Sequence, residues 1–177
     1  MNPHSTTSAS PGGNAFVELV PRPLAPPSDP PTAPFGPPLA ELTVAADTRL
    51  ARDVRAFTRE HLVRMAADRD TVADAVLLTC ELYANALQHA PDGAVVLRVL
   101  HDRPSSTFTV SVDDTSRVPP AAADCRSARL QESGRGLALV ADLALAWGWH
   151  PIDTGKRVWF SMSIVPIAQD SEESSCA

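Results

Sequence analysis

At 177 residues and 44% hydrophobic content, the chain is long enough for one domain with a sizeable core and something left over. A formal charge of −6 and a pI near 5.3 argue against a bare nucleic-acid binder, which shows a basic stripe, and favour a small-molecule or protein partner. No run approaches the roughly 18 apolar residues of a bilayer crossing.

The first segment, residues 1–38, holds eleven of the 17 prolines, with Gly, Ser and Thr between them. It lacks the apolar surface to offset its ordering entropy and is expected to be a disordered tail. Ala15 to Val20 is its one apolar island, a solvated accident, a docking peptide or an extra edge strand. A basic start followed by an apolar stretch is missing, so the segment is no signal peptide and a cytoplasmic protein is expected. Cys80, Cys125 and Cys176 share no metal-ligand spacing, which predicts neither disulfide nor zinc site.

The ordered domain is expected over residues 39–166. Leu39 to Val44 reads as a first, edge strand set off by Pro37 and Pro38. Asp47 or Thr48 can cap a helix running to about Met65, with Leu50, Val54, Phe57, His61, Leu62 and Met65 inward and Arg49, Arg52, Arg55, Arg59 and Arg64 mostly outward.

A second helix is predicted from Thr71 to Ala90, where Val72, Ala75, Val76, Leu78, Leu82, Ala86 and Leu87 recur at helical spacing. Glu81, Asn85 and His89 stand at i, i+4 and i+8, so a carboxylate, a carboxamide and an imidazole share one edge beside the apolar stripe. A solvated rim is the ordinary reading of such a row. Against it stands Pro91-Asp92-Gly93, which ends the helix at His89 and places the row at a loop mouth.

Ala94–Leu100 and Thr107–Asp113 read as an antiparallel pair of strands. The second ends in Asp113-Asp114-Thr115-Ser116, either ordinary turn residues or a carboxylate able to accept from a ligand amino group. Residues 117–133 hold Pro119 and Pro120 and no steady period, a length typical of a lid. Gly134-Arg135-Gly136 then leads into an apolar helix from Leu137 to Ala146, a context that brings backbone amides close to an anion. Trp147-Gly-Trp149 and Val158–Ile164 read as two final strands around Asp153-Thr-Gly155-Lys156. Residues 167–177 are short, acidic and Ser-rich, and a frayed tail is expected there. The order predicts an α/β fold, a two-layer sandwich with a mixed, mostly antiparallel sheet and helices on one face.

Glu81-x-x-x-Asn85-x-x-x-His89-Ala90, Val112-Asp113-Asp114, Gly134-Arg-Gly-Leu137 and Gly155-Lys-Arg-Val-Trp-Phe160 follow the order of motifs in the GHKL ATPase superfamily. The chain resembles, more closely, the small actinobacterial ATP-binding proteins related to anti-sigma-factor serine-protein kinases. That resemblance implies a Bergerat-type sandwich holding ATP and Mg²⁺ under a lid. By the same resemblance Asn85 binds the metal, Glu81 is the general base, and Asp113 accepts from the adenine amino group. Gly134, Arg135, Gly136 and Leu137 are the phosphate-side segment, with Arg135 a charge neutraliser, and His89 is a further nucleotide contact. The family places glycines two and four residues after its Asp. Counted from Asp113 those positions are Thr115 and Arg117, although serine-rich versions occur in close relatives. Arg157 stands where many relatives have Thr.

The function so implied is a serine/threonine-protein kinase of the anti-sigma type. It would phosphorylate a small antagonist of the STAS class and bind a sigma factor or similar regulator, without contacting nucleic acid or membrane. Relatives commonly form homodimers. Arg117 and Arg157, together with the Arg-lined first helix as a docking face, support an alternative, a non-catalytic switch, nucleotide-dependent or nucleotide-independent, that sequesters its partner.

Overall fold

The computed structural model describes residues 37–120 and 135–164. The expected tails, most of the lid segment, Gly134, Cys125 and Cys176 lie outside the described residues.

Strand β1 (Ala40–Ala45) leads to Asp47, whose carboxylate accepts the Arg49 N–H at 2.8 Å and caps a single 3-10 turn ahead of α1 (Ala51–Arg64). Helix α2 (Arg69–His89) is capped by Asp68, which accepts the Thr71 N–H at 2.7 Å. Those capping bonds hold the Asp68 carboxyl below its usual range. Then come β2 (Ala94–Asp102), β3 (Thr107–Asp114), α3 (Arg135–Leu143), β4 (Ala146–Ile152) and β5 (Gly155–Ser163). The strand order is β1-β2-β3-β5-β4, and all four pairings are antiparallel. The expectation of a mixed sheet is thus corrected: every neighbour in the described sheet comes from a hairpin or a returning crossover.

Alternation decides what each strand presents to the helices. Leu97, Val112 and Val158 stand side by side on β2, β3 and β5, as do Val99, Val110 and Phe160. All are at most 2% exposed and join Leu78, Leu82, Ala86 and Val140 of the helices in one core. Each such side chain contributes about 1.5–3 kcal/mol by leaving water. The intervening residues form the opposite face, where Val96, Asp113 and Arg157 share a row.

Tyr83, buried in α2, ties the helix layer to the start of the chain. Its hydroxyl lies 2.8 Å from the Asp47 carbonyl and 3.1 Å from that of Ala45, and burial pushes its pKa up. No helix among the described residues is long and apolar enough to cross a membrane.

Candidate functional site

The 3.6-residue repeat that buries Leu78, Leu82 and Ala86 leaves Glu81, Asn85 and His89 half-buried along the edge of α2. Asn85 Nδ2 is buried without a hydrogen-bond partner. A buried amide donor left unpaired costs about 1–3 kcal/mol, so this carboxamide is held for something beyond the described protein atoms.

Gly136 closes on Glu81. A Cβ built there would sit 2.4 Å from Glu81 Oε2 and 3.2 Å from Glu81 Cβ. The first turn of α3 therefore lies directly on the carboxylate, and any side chain at position 136 would push it aside. The structure starts α3 at Arg135, two residues before the expected Leu137, so Gly136 is helical rather than ahead of the helix. Leu137, expected among the nucleotide contacts, is packed in the core, 7% exposed.

The two aspartates ending β3 point to opposite faces of the sheet. Asp114 follows the parity of Val110 and Val112 and so faces the helices. Its Oδ1 accepts from Lys156 Nζ at 2.9 Å and from the Ser116 N–H at 2.8 Å. The Lys156 and Asp114 side chains are 0% and 1% exposed. Asp113, the expected adenine partner, faces the other way. It is gripped by Arg157, whose Nε and Nη2 lie 2.6 and 2.8 Å from its two oxygens, and by Arg98. Arg98 also holds Glu41 at 2.7 Å, so this charge network spans four strands. The Asp113 hydrogen bond raises the Arg157 pKa above its ordinary value.

Two glycines draw the turn after Asp114 against its neighbours. A Cβ on Gly155 would lie 2.0 Å from the Asp114 carbonyl oxygen, and one on Gly93 would lie 2.3 Å from Thr115 Oγ1. The first contact seats β5 flush against the end of β3, and the second joins the loop after His89 to the loop after Asp114. Arg117 donates instead to the Asp153 carbonyl at 3.2 Å, in the exposed β4–β5 turn.

The structure thus brings Glu81 to Gly136, and the α2–β2 turn to the Asp114 end of β3. It separates Asp113 from both. Asp114 and Lys156 were passed over in the sequence analysis, although the parity of Val110 and Val112 already places Asp114 on the helix side. Among the described residues no three His, Cys, Asp or Glu side chains form a metal cage. A hard cation held by one carboxamide oxygen, phosphates and waters needs no such cage. Asn85 fits that arrangement: its oxygen suits Mg²⁺, and its buried, unpaired Nδ2 suits an anionic oxygen.

Residues 44–162 match the family described as the histidine kinase-like ATPase domain. A solved structure, that of the RsbU and RsbW domains of Rv1364c from Mycobacterium tuberculosis, shares the fold with a TM-score of 0.52 at 23% identity. The match covers 75% of this chain and 34% of that one, so the chain spans about a third of the length of that relative. No curated protein matches the chain.

Proposed function

The chain belongs to the histidine kinase-like ATPase domain family, and we propose that it binds Mg-ATP along the Glu81–Asn85 edge as a serine/threonine-protein kinase of the anti-sigma type. The acceptor would be a Ser or Thr of a small antagonist protein of the STAS class, and the regulated partner a sigma factor or similar regulator. The observation that carries this reading is the juxtaposition of the Glu81 carboxylate with the first turn of α3 at Gly136, beside an Asn85 amide with nothing to bond.

In this reading Glu81 accepts the proton of the attacking hydroxyl as that oxygen bonds to the γ-phosphorus and the bond to ADP breaks. Asn85 would hold Mg²⁺, which when bound neutralises charge on the phosphates. The adenine contact moves from Asp113 to Asp114. Lys156 and the Ser116 amide fix Asp114 Oδ1, which leaves Oδ2 to accept from the adenine amino group. Counted from Asp114, the family's two glycine positions become Ser116 and Val118. Gly134, Arg135 and Gly136 stay the phosphate-side segment, and His89 a contact at the α2 end.

Beside the Arg-lined first helix as a docking face, the sequestration-only alternative rests on Arg117 and Arg157. One reaches the β4–β5 turn and the other the outer face, so neither obstructs the helix-side site. Incubation with labelled ATP and a candidate antagonist tests the kinase. Transfer to Ser or Thr that falls about 10²–10⁴-fold in Glu81→Ala is expected. Tight Mg-ATP binding without any transfer would leave the sequestering switch.

A further inference from the structure

A second cleft, of about 530 Å³, lies at the end of the sheet away from Asp114. The C-terminal end of α1 contributes His61, Arg64 and Met65, the end of β2 and its turn contribute His101 and Arg103, and Leu39 completes the wall. Four nitrogen-bearing side chains thus face one space, and among the described residues no carboxylate lines it.

The local bonds leave these side chains open to the cleft. His61 Nδ1 donates to the Phe57 carbonyl at 2.9 Å, which leaves Nε2 for the cleft. Two acids on the same elements are engaged: Glu60 takes Arg64 Nη2 at 2.7 Å on the exposed helix surface, where such a pair is weak, and Asp102 takes the Ser105 hydroxyl at 2.5 Å. Arg64 has five N–H donors and gives one of them to Glu60.

The course of the chain supplies an acidic occupant. Strand β5 ends at Ser163, and the Ile164 N–H donates to the Ser106 carbonyl at 2.8 Å. The chain therefore leaves the domain at the very turn that carries Arg103. Residues 165–169 can span up to about 17 Å, after which Asp170-Ser-Glu-Glu173 offers three carboxylates in four residues. We propose that this cleft binds acidic peptide, and that its resident occupant is the chain's own segment Asp170–Glu173, drawn in by Arg64, Arg103, His61 and His101. Individual exposed pairs are weak, but a short tether holds the segment at about millimolar effective concentration.

The test follows the histidine Hε1 resonances of the full chain by NMR at fixed pH, in the parent and in a variant carrying D170K, E172K and E173K. The His61 and His101 signals are expected to move in the variant, with those of His89 and His150 unchanged. A peptide of residues 167–177 added at about 1 mM should return them toward the parent positions. Sodium chloride at about 1 M, where the screening length is about 3 Å, should give the parent the variant's spectrum, and Arg103→Glu should do so at low salt. Unmoved His61 and His101 signals in the variant overturn the proposal. If they stay put there yet shift with inorganic phosphate or an unrelated acidic peptide, the cleft serves an external anion instead, and the assignment to Asp170–Glu173 is equally overturned.

Discussion

Asp113 and Asp114 are adjacent in sequence and both nearly buried, yet they live in different parts of the molecule. Asp114 turns toward the helix layer and meets one lysine, Lys156, inside the core, at the end of the sheet where α2 and β2 are joined. Asp113 turns to the outer face and shares a partly exposed network with Arg98, Arg157 and Glu41. One step along a pleated strand thus separates a carboxylate on the helix side from one that ties neighbouring strands together. A functional residue at a strand end is identified by its parity with the core, and its residue type alone leaves the choice between neighbours open.

The largest effect separating the two should come from removing each aspartate's basic partner. Lys156→Met strands the Asp114 carboxylate in the core, and a loss of about 3–5 kcal/mol is expected in urea unfolding. Arg157→Met leaves Asp113 its bond to Arg98 at a partly exposed site, and should cost about 1 kcal/mol or less. Equal costs would erase the distinction between the faces.

Gly136→Ala probes the helix side next. The new methyl group collides with a flexible carboxylate, so Glu81 moves while the fold stays. Phosphotransfer should fall by about tenfold or more, within the range of a displaced general base, and the urea midpoint should change little. A large loss of stability with unchanged turnover per folded molecule would contradict the placement of Glu81.

The smallest effect belongs to the outer face. His150 pairs with Arg157 across β4 and β5, its Nδ1 is buried without a partner, and burial, then the Arg157 charge, lowers its pKa. The unfolded chain binds that proton more readily, so stability should fall as pH drops through about 6.5 and recover above it. His150→Gln should flatten that part of the pH–stability curve, as read by urea midpoints; an unchanged slope would show that His150 titrates alike in both states.

Most elements were legible from periodicity. The apolar repeat of α2 and the alternation of β3 each stated their own type and, within two residues, their own ends. The edge formed by Glu81, Asn85 and His89 followed from helical spacing alone. That Asp113 faces away from the helices follows from counting parity from Val110 and Val112, which a motif match leaves out. What no local pattern carries is the β3–β5 register that sets Lys156 beside Asp114, since it joins residues 42 apart. The contact of Gly136 with Glu81 is tertiary in the same way: a Gly-x-Gly signals freedom of the backbone and is silent about what approaches it.

Calorimetry of Mg-ATP binding to the parent, Asp113→Asn and Asp114→Asn tests the central claim most directly, with asparagine still offering Lys156 an oxygen. Each variant is first shown to be folded by its urea midpoint, because Asp114→Asn removes the charge opposite the buried Lys156. Loss of a charge-assisted bond of about 1.5–3 kcal/mol predicts affinity at least about tenfold weaker in Asp114→Asn, with Asp113→Asn within about twofold of the parent. The reverse ranking, or no dependence on either aspartate, would contradict a nucleotide site on the helix side of the sheet.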